Sequence, residues 1–417
     1  MEFKRSAYVQ ELRLRMHNGL VKVITGMRRS GKSYLLFKLF YDDLLKSGVT
    51  EDHILTYTME GAENKQYREP EFLLSDVRSK IKDRGCYYLF FDEVQLLKDF
   101  EEVLNSLLHV SNADIYVTGS NSRFLSKDVI TEFRGRGDEI HVYPLTFREF
   151  MESDPHRSPG AAWNEFITYG GLPMVAGAAT DRQKNSYLLA LFKETWLKDI
   201  IEHNRTRKTQ ELEDLIKVLA SSIGALTGPR KLLATFKSEY GSALSVNTVK
   251  QYLDFLTDAF LVNPAQRYDV KGRRYIGSPV KYYFEDLGVR NACLDFRQYE
   301  ESQLMENALY NELKCRGYNV DVGAVEQHER GADGRRHLKT LDVDFVANLG
   351  SRRIYFQSAL SMSDEDKLRQ EKASLKAISD SFQKIIIVKD EIKPRYDDDG
   401  ILTVGLFDFL LNPRDAF

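Results

Sequence analysis

The chain has 417 residues, enough for two or three domains with cores of their own. Hydrophobic residues make up 42% of it, an ordinary globular composition that excludes a disordered chain. A formal net charge of -3 excludes nucleic-acid binding through the overall field, so any such contact must come from local basic patches. Cys86, Cys293 and Cys315 lie far apart with no paired ligand spacing, and neither a zinc site nor a disulfide framework is expected. The start, "MEFKRSAYVQEL", lacks the apolar core of a signal peptide, and no apolar run is long enough to cross a bilayer. A cytoplasmic setting without membrane contact is the expectation.

In chain order, "VKVIT" (21–25) predicts a buried strand and "SYLLFKLFYDDLL" a helix with apolar residues at 35, 36, 39 and 40. Between them "GMRRSGKS" fits the phosphate-loop pattern G-x-x-x-x-G-K-[ST] from Gly26 to Ser33. Strand, glycine loop and helix are the context that pattern needs, because loop N–H groups and the helix start converge on phosphate. Gly26, Arg29, Ser30, Gly31, Lys32, Ser33 and Tyr34 are the candidate ATP-binding residues. Lys32 is expected to reach the β- and γ-phosphates and Ser33 to ligate Mg²⁺. Arg28 and Arg29 occupy chemically free positions and are expected to project outward.

"CYYLFFDEVQ" predicts an apolar strand ending in two acids. Asp92 would hold Mg²⁺ through water, and Glu93 would polarise the attacking water. "IYVTG" is a further short buried strand. The polar residues after it could sense the γ-phosphate, Asn121 first, with Thr118 and Ser120 beside it; a plain Gly-Ser-Asn turn competes with this reading. Arg134 and Arg136 flank a glycine before the next strand. Either could neutralise charge at a neighbouring subunit's nucleotide, or form a basic turn.

At this point the chain resembles the bacterial and archaeal AAA-type ATPases that carry a C-terminal domain of unknown function. The matching segments are "VKVITGMRRSGKS", "FFDEVQ", "TGSNSRFLS", "FRGRGDEIHVYPLTFREF" and "YGGLPMV", then "KYYFEDLGVRNA", "MENALYNELKCRGY", "LDVDFVA" and "IYFQSAL". The resemblance implies an α/β P-loop AAA+-type core with a parallel sheet, a helical and winged-helix middle, and a C-terminal α/β domain similar to restriction-endonuclease-like nucleases. The expected boundaries are 1–155 for the core, 156–209 for a helical lid, 210–290 for the winged helix and 291–417 for a degenerate nuclease-like domain.

"YGGLPMVAG" (169–177) predicts a turn between helices that closes the ATPase region. Residues 210–285 show three helical stretches and then a hairpin. Ser245 is the expected cap of "SVNTVKQYLDFLTDAFLV", with 249, 253, 256 and 260 on one face. A Lys-Gly-Arg-Arg turn at 271–274 joins the two strands that follow. Helices followed by a basic hairpin suggest a winged helix, so Lys250, Lys271, Arg273 and Arg274 are candidate DNA-phosphate contacts; packing against protein is the alternative.

A restriction-type nuclease needs a helix Glu, a strand Asp and then an acid-x-Lys on the next strand. Glu306 and Asp344 fit the first two places. The third reads Gln357-Ser358-Ala359, a poor Mg²⁺ ligand followed by a residue that can do nothing for water. A vestigial site used for binding is therefore expected. The overall expectation is a Mg²⁺-dependent ATPase coupled to DNA, with a homo-oligomer that holds ATP between subunits as one arrangement. The rivals are a nucleotide-controlled protein-interaction switch and an ATP-regulated nuclease.

Overall fold

A computed structural model describes residues 2–119, 135–154, 156–197, 200–201, 209–241, 244–330, 336–361 and 365–412. The chain forms two compact units. The first comprises Met1–Leu145, Leu172–Gly177 and Thr257–Leu261. Its strands are β1 (Val21–Thr25), β2 (Ile54–Thr58), β3 (Tyr87–Asp92), β4 (Ala113–Thr118) and β5 (Gly137–His141). They pair only in parallel, in the order β2-β3-β4-β1-β5.

Parallel sheets are covered on both faces, and β1 is buried at every position. The strand period of two divides the core accordingly. Val21, Val23, Leu89, Phe91, Ile115 and Val117 pack in one cluster. Ile24, Tyr88, Phe90, Tyr116 and Ile140 pack in the other, with Leu35, Leu36 and Phe40 from the helical segment after the loop. That segment is not one uniform α-helix. It runs α1 (Lys32–Tyr34), a π-helical stretch Leu35–Phe40, then α2 (Tyr41–Lys46). Widening the helix beside a functional loop is a recognised use of π geometry.

The second unit comprises Thr146–Gly171, Ala178–Leu256 and Val262–Phe417. Its helices include α3 (Pro159–Tyr169), α4 (Thr209–Ser221), α5 (Pro229–Tyr240), α6 (Val246–Asp258), α7 (Leu287–Cys293), α8 (Glu301–Cys315) and α9 (Glu365–Lys376). Ser245 Oγ accepts the Thr248 N–H at 3.1 Å, capping α6. An eight-stranded mixed sheet holds β6 (Val262–Asp269), β7 (Arg274–Phe284), β8 (Asn319–Arg330), β9 (Arg336–Leu349), β10 (Arg352–Ala359), β11 (Gln383–Val388), β12 (Arg395–Tyr396) and β13 (Leu402–Gly405). Its order is β12-β13-β11-β10-β9-β8-β6-β7.

That order corrects the expected break at 290. The β6–β7 hairpin is not a free wing, because Arg267–Asp269 of β6 pairs in parallel with Val322–Ala324 of β8. The physical reason is apolar cover: Tyr268 and Val270 pack with Val325, Val343, Val346, Tyr355 and Ile386 in one core.

Two of the quoted segments form a structural lock. Asp286 caps α7 by accepting Val289 N–H at 3.0 Å and also accepts Gly171 N–H at 2.8 Å. Asn291 donates to the carbonyls of Ile167 and Thr168, both at 2.8 Å. A side chain on Gly288 would begin 2.0 Å from the Tyr169 carbonyl oxygen, so only glycine allows this approach. Among the described residues, no helix is long and apolar enough to cross a membrane.

Candidate nucleotide site and a closed carboxylate cluster

The glycine loop leaves the carboxyl end of β1, where ligands of open α/β sheets bind. Gly26 has φ +137°, and a Cβ there would lie 2.3 Å from the Val142 carbonyl oxygen. Gly31 has φ +99°, also outside the range of ordinary residues. These two positions let the backbone fold tightly around an anion. Lys32 is buried, and its ammonium donates to the loop's own carbonyls, Gly26 O at 2.9 Å and Met27 O at 3.1 Å. Arg28 is half-buried and Arg29 exposed, with Arg29 in the left-handed region at φ 71°. Among the described residues Ser30 Oγ is buried without a hydrogen-bond partner, a polar atom left for a ligand to satisfy.

Asp92 ends β3 beside the loop. Its Oδ1 accepts from the hydroxyl of Ser33 at 2.8 Å and from that of Thr118 at 2.6 Å. Thr118 Oγ1 in turn accepts the backbone N–H of Glu93 at 3.0 Å, and Glu93 has φ 51°. One threonine at the end of β4 thus fixes both acids. Arg28, Arg29, Ser30, Gly31, Lys32, Ser33, Tyr34, Asp92 and Glu93 line one cavity of about 400 Å³, with Phe3, Arg5, Glu60, Pro173 and Met174. The last five were not anticipated; they come from other parts of the chain and carry no local motif. A buried orphan hydroxyl, a lysine and a serine–aspartate pair at the mouth of a glycine loop fit a nucleotide triphosphate with Mg²⁺.

Arg136 is exposed, and its carbonyl accepts Val21 N–H at 2.9 Å at the amino end of β1. The loop leaves the opposite end, where Thr25 pairs with His141. The strand between them spans about 13 Å, so Arg136 does not face its own chain's loop. Asn121, Ser120 and Arg134 lie outside the described residues.

In the second unit the structure brings Glu306, Asp344 and Gln357 together, with a lysine from a strand assigned elsewhere. Lys281 of β7 places its ammonium 2.8 Å from Glu306 and 3.6 Å from Asp344. Tyr283 donates to Glu306 at 2.6 Å. The backbone N–H and hydroxyl of Ser358 donate to Asp344 at 2.9 and 2.8 Å. Gln357 accepts the Asp344 N–H at 3.1 Å and donates to Glu371. Burial pushes the Glu306 carboxyl up to about 7, an effect that Lys281 only partly offsets. For Lys281, burial favours the neutral amine, but Glu306 and Asp344 outweigh it and hold the ammonium charged.

This corrects the expectation that alanine at 359 leaves the cluster without a lysine: Lys281 supplies one from another strand. It also means the residues do not fit a divalent metal, because an ammonium stands between the carboxylates. Among the described residues, no group of three or more His, Cys, Asp or Glu could hold a metal ion. The missed signal was a lysine inside the apolar run "VKYYF", since a buried cation requires an acidic partner.

The expected wing contacts are also partly engaged. Lys271 donates to the Glu326 carbonyl at 2.7 Å, and Arg274 pairs with Asp269 at 3.4 Å. Arg273 and Lys250 are exposed.

Residues 18–151 match the model of an AAA domain, and residues 160–300 match that of a domain of unknown function, DUF8612. An uncharacterized protein of Haemophilus influenzae is 31% identical over 412 residues, covering 98% of each chain. An uncharacterized protein of Methanocaldococcus jannaschii is 25% identical, covering 91% of this chain and 84% of its own. Among solved structures, Aeropyrum pernix ORC1 in complex with DNA is similar at 14% identity and a TM-score of 0.27, covering 70% of this chain and 92% of that one, too weak a likeness to carry an argument. The full-length match leaves one conclusion: the chain belongs to the family of the uncharacterized Haemophilus influenzae protein, in which an AAA domain is joined to a domain of unknown function.

Proposed function

We propose that this protein hydrolyses ATP with Mg²⁺ in the loop crevice of the first unit and couples that cycle to DNA through the second. The observation that carries the ATPase reading is the shared Asp92 Oδ1, on which the hydroxyls of Ser33 and Thr118 converge beside Lys32. Bound ATP–Mg²⁺ supplies the phosphoanhydride and the charge that shields it. Lys32 and the loop amides bind the β- and γ-phosphates, and Ser33 and Asp92 hold the metal. Glu93 orients the attacking water and takes its proton on the carboxylate. Thr118 keeps Asp92 and Glu93 in register, and Asn121 senses the γ-phosphate.

Arg136, or Arg134, serves a neighbouring copy's nucleotide, which makes the active form a homo-oligomer. Arg136→Ala protein should bind ATP and hydrolyse it poorly, and mixing it with Lys32→Ala protein should restore part of the turnover. Full activity of Arg136→Ala alone removes that arginine from the mechanism.

The decisive test separates binding from hydrolysis. Lys32→Ala should lose ATP affinity, whereas Glu93→Gln should keep ATP bound and lose turnover by about a hundredfold or more. Wild-type turnover by Glu93→Gln would exclude this assignment. The rival reading, a nucleotide-controlled switch without nucleic acid, draws support from Arg274, whose charge is paired with Asp269 within the protein. ATP turnover measured with and without duplex DNA distinguishes the two.

A further inference from the structure

The geometry points to a duplex-DNA backbone site in the groove between α5, α6 and β7, with Arg230, Lys231 and Lys250 as its phosphate contacts. This assignment rests on the DNA reading above and moves the contact away from the hairpin turn.

The groove holds about 760 Å³, and every charged residue that lines it is a cation: Arg230 and Lys231 from α5, Lys250 from α6. All three are exposed, and Lys231 also donates to the neutral carbonyl of Leu226 at 2.9 Å. Asp254, one turn after Lys250, acts on the phenol of Tyr282 and does not line the groove. The elements that carry the cations are fixed to one another. Thr227, just before α5, exchanges both backbone hydrogen bonds with Val280 of β7, each at 2.8 Å. Val249, Leu253 and Leu256 bury the inner face of α6.

The outer face of α6 identifies the partner. Asn247, Lys250 and Gln251 are all exposed there. Side-chain amides hydrogen-bond base edges in both directions, while cations take the phosphates on either side. A 13-residue helix is about 20 Å long, the scale of a helix laid in a major groove. Duplex DNA engages both sets at once, its phosphates meeting the cations and its base edges the amides.

The test is binding of a labelled random-sequence duplex to the full-length protein across a salt series, read by fluorescence anisotropy. Wild-type affinity should fall steeply with salt. The triple variant R230A/K231A/K250A should bind at least about tenfold more weakly at low salt and lose about two to three units of log–log slope, near 0.9 per phosphate contact. The charge-conserving R230K/K231R/K250R should keep the slope, which separates lost charge from a damaged fold. K271A/R273A/R274A should lose less slope than the groove variant, because Arg274 is paired with Asp269. Absence of any salt-dependent duplex binding by the wild type would sink the DNA reading as a whole. Wild-type binding with an unchanged slope in R230A/K231A/K250A would overturn the groove alone.

Discussion

Each unit sets a lysine near two carboxylates, and the two arrangements lead to opposite chemistry. In the crevice Lys32 is held by backbone carbonyls, while Asp92 is held by hydroxyls. The groups that hold them here are neutral, and both side chains line the crevice. In the second unit Lys281 lies directly against Glu306, Tyr283 donates to the same Glu306 oxygen, and Ser358 takes up the Asp344 oxygen that Lys281 does not face. That cluster is closed upon itself. The comparison teaches that the residue types of a site say little until the partner of each charge is known. Neutral partners preserve a site for a ligand, whereas opposite charges within bonding distance consume it.

The comparison can be broken most forcefully at Lys281. Replacing it with Met leaves two carboxylates buried without their cation, and the second unit should lose about 3–5 kcal/mol in urea denaturation. Adding Glu306→Gln to that variant should recover part of the loss, since the two side chains are coupled. A Lys281→Met protein as stable as wild type would show that the cluster is not closed by that ammonium.

A somewhat smaller effect should appear with pH. The folded state holds the Glu306 proton more tightly than the unfolded chain, with values of about 7 against 4.5. The stability this contributes is present in full below about pH 4.5 and is lost as pH rises through about 7, on the order of 3 kcal/mol in total. Denaturation midpoints measured on either side of that window should fall with rising pH in the wild type and stay level in Glu306→Gln. Parallel profiles for the two proteins would place the titrating group elsewhere.

The smallest effect sharpens the crevice side. Thr118→Val removes the hydroxyl shared by Asp92 and Glu93, and turnover should drop about tenfold, the cost of roughly one charged hydrogen bond. ATP affinity should change less than turnover, and Thr118→Ser should restore most of the rate. Equal loss of both parameters, without rescue by serine, would reduce Thr118 to a packing role.

The first unit was legible in the sequence because its signals are local. A buried strand, a glycine loop and a lysine–serine pair occupy 13 consecutive residues, Val21–Ser33. The apolar strand before Asp92 is equally compact, so the chain alone predicts both halves of the crevice. Thr118 could be named from sequence as one of three neighbours, but its contact with Asp92 joins strands 26 residues apart. The lining residues Phe3, Glu60 and Met174 had no such signal, because they meet the loop only through the fold.

The second unit was less legible for the same physical reason. Helix periodicity and the Ser245 cap are short-range and were readable, as were Glu306 and Asp344 as a spaced pair. The place of the hairpin was not. A strand's own residues do not say which neighbour completes its backbone hydrogen bonds, and β6 finds β8 more than fifty residues later. Lys281 travels with that hairpin into the cluster. The sequence by itself determined the phosphate loop, its acids and the elements that carry them, because each depends on residues within a turn or a strand. Only the tertiary structure decided which lysine meets which carboxylate, because burial and charge pairing are properties of residues brought together from distant parts of the chain.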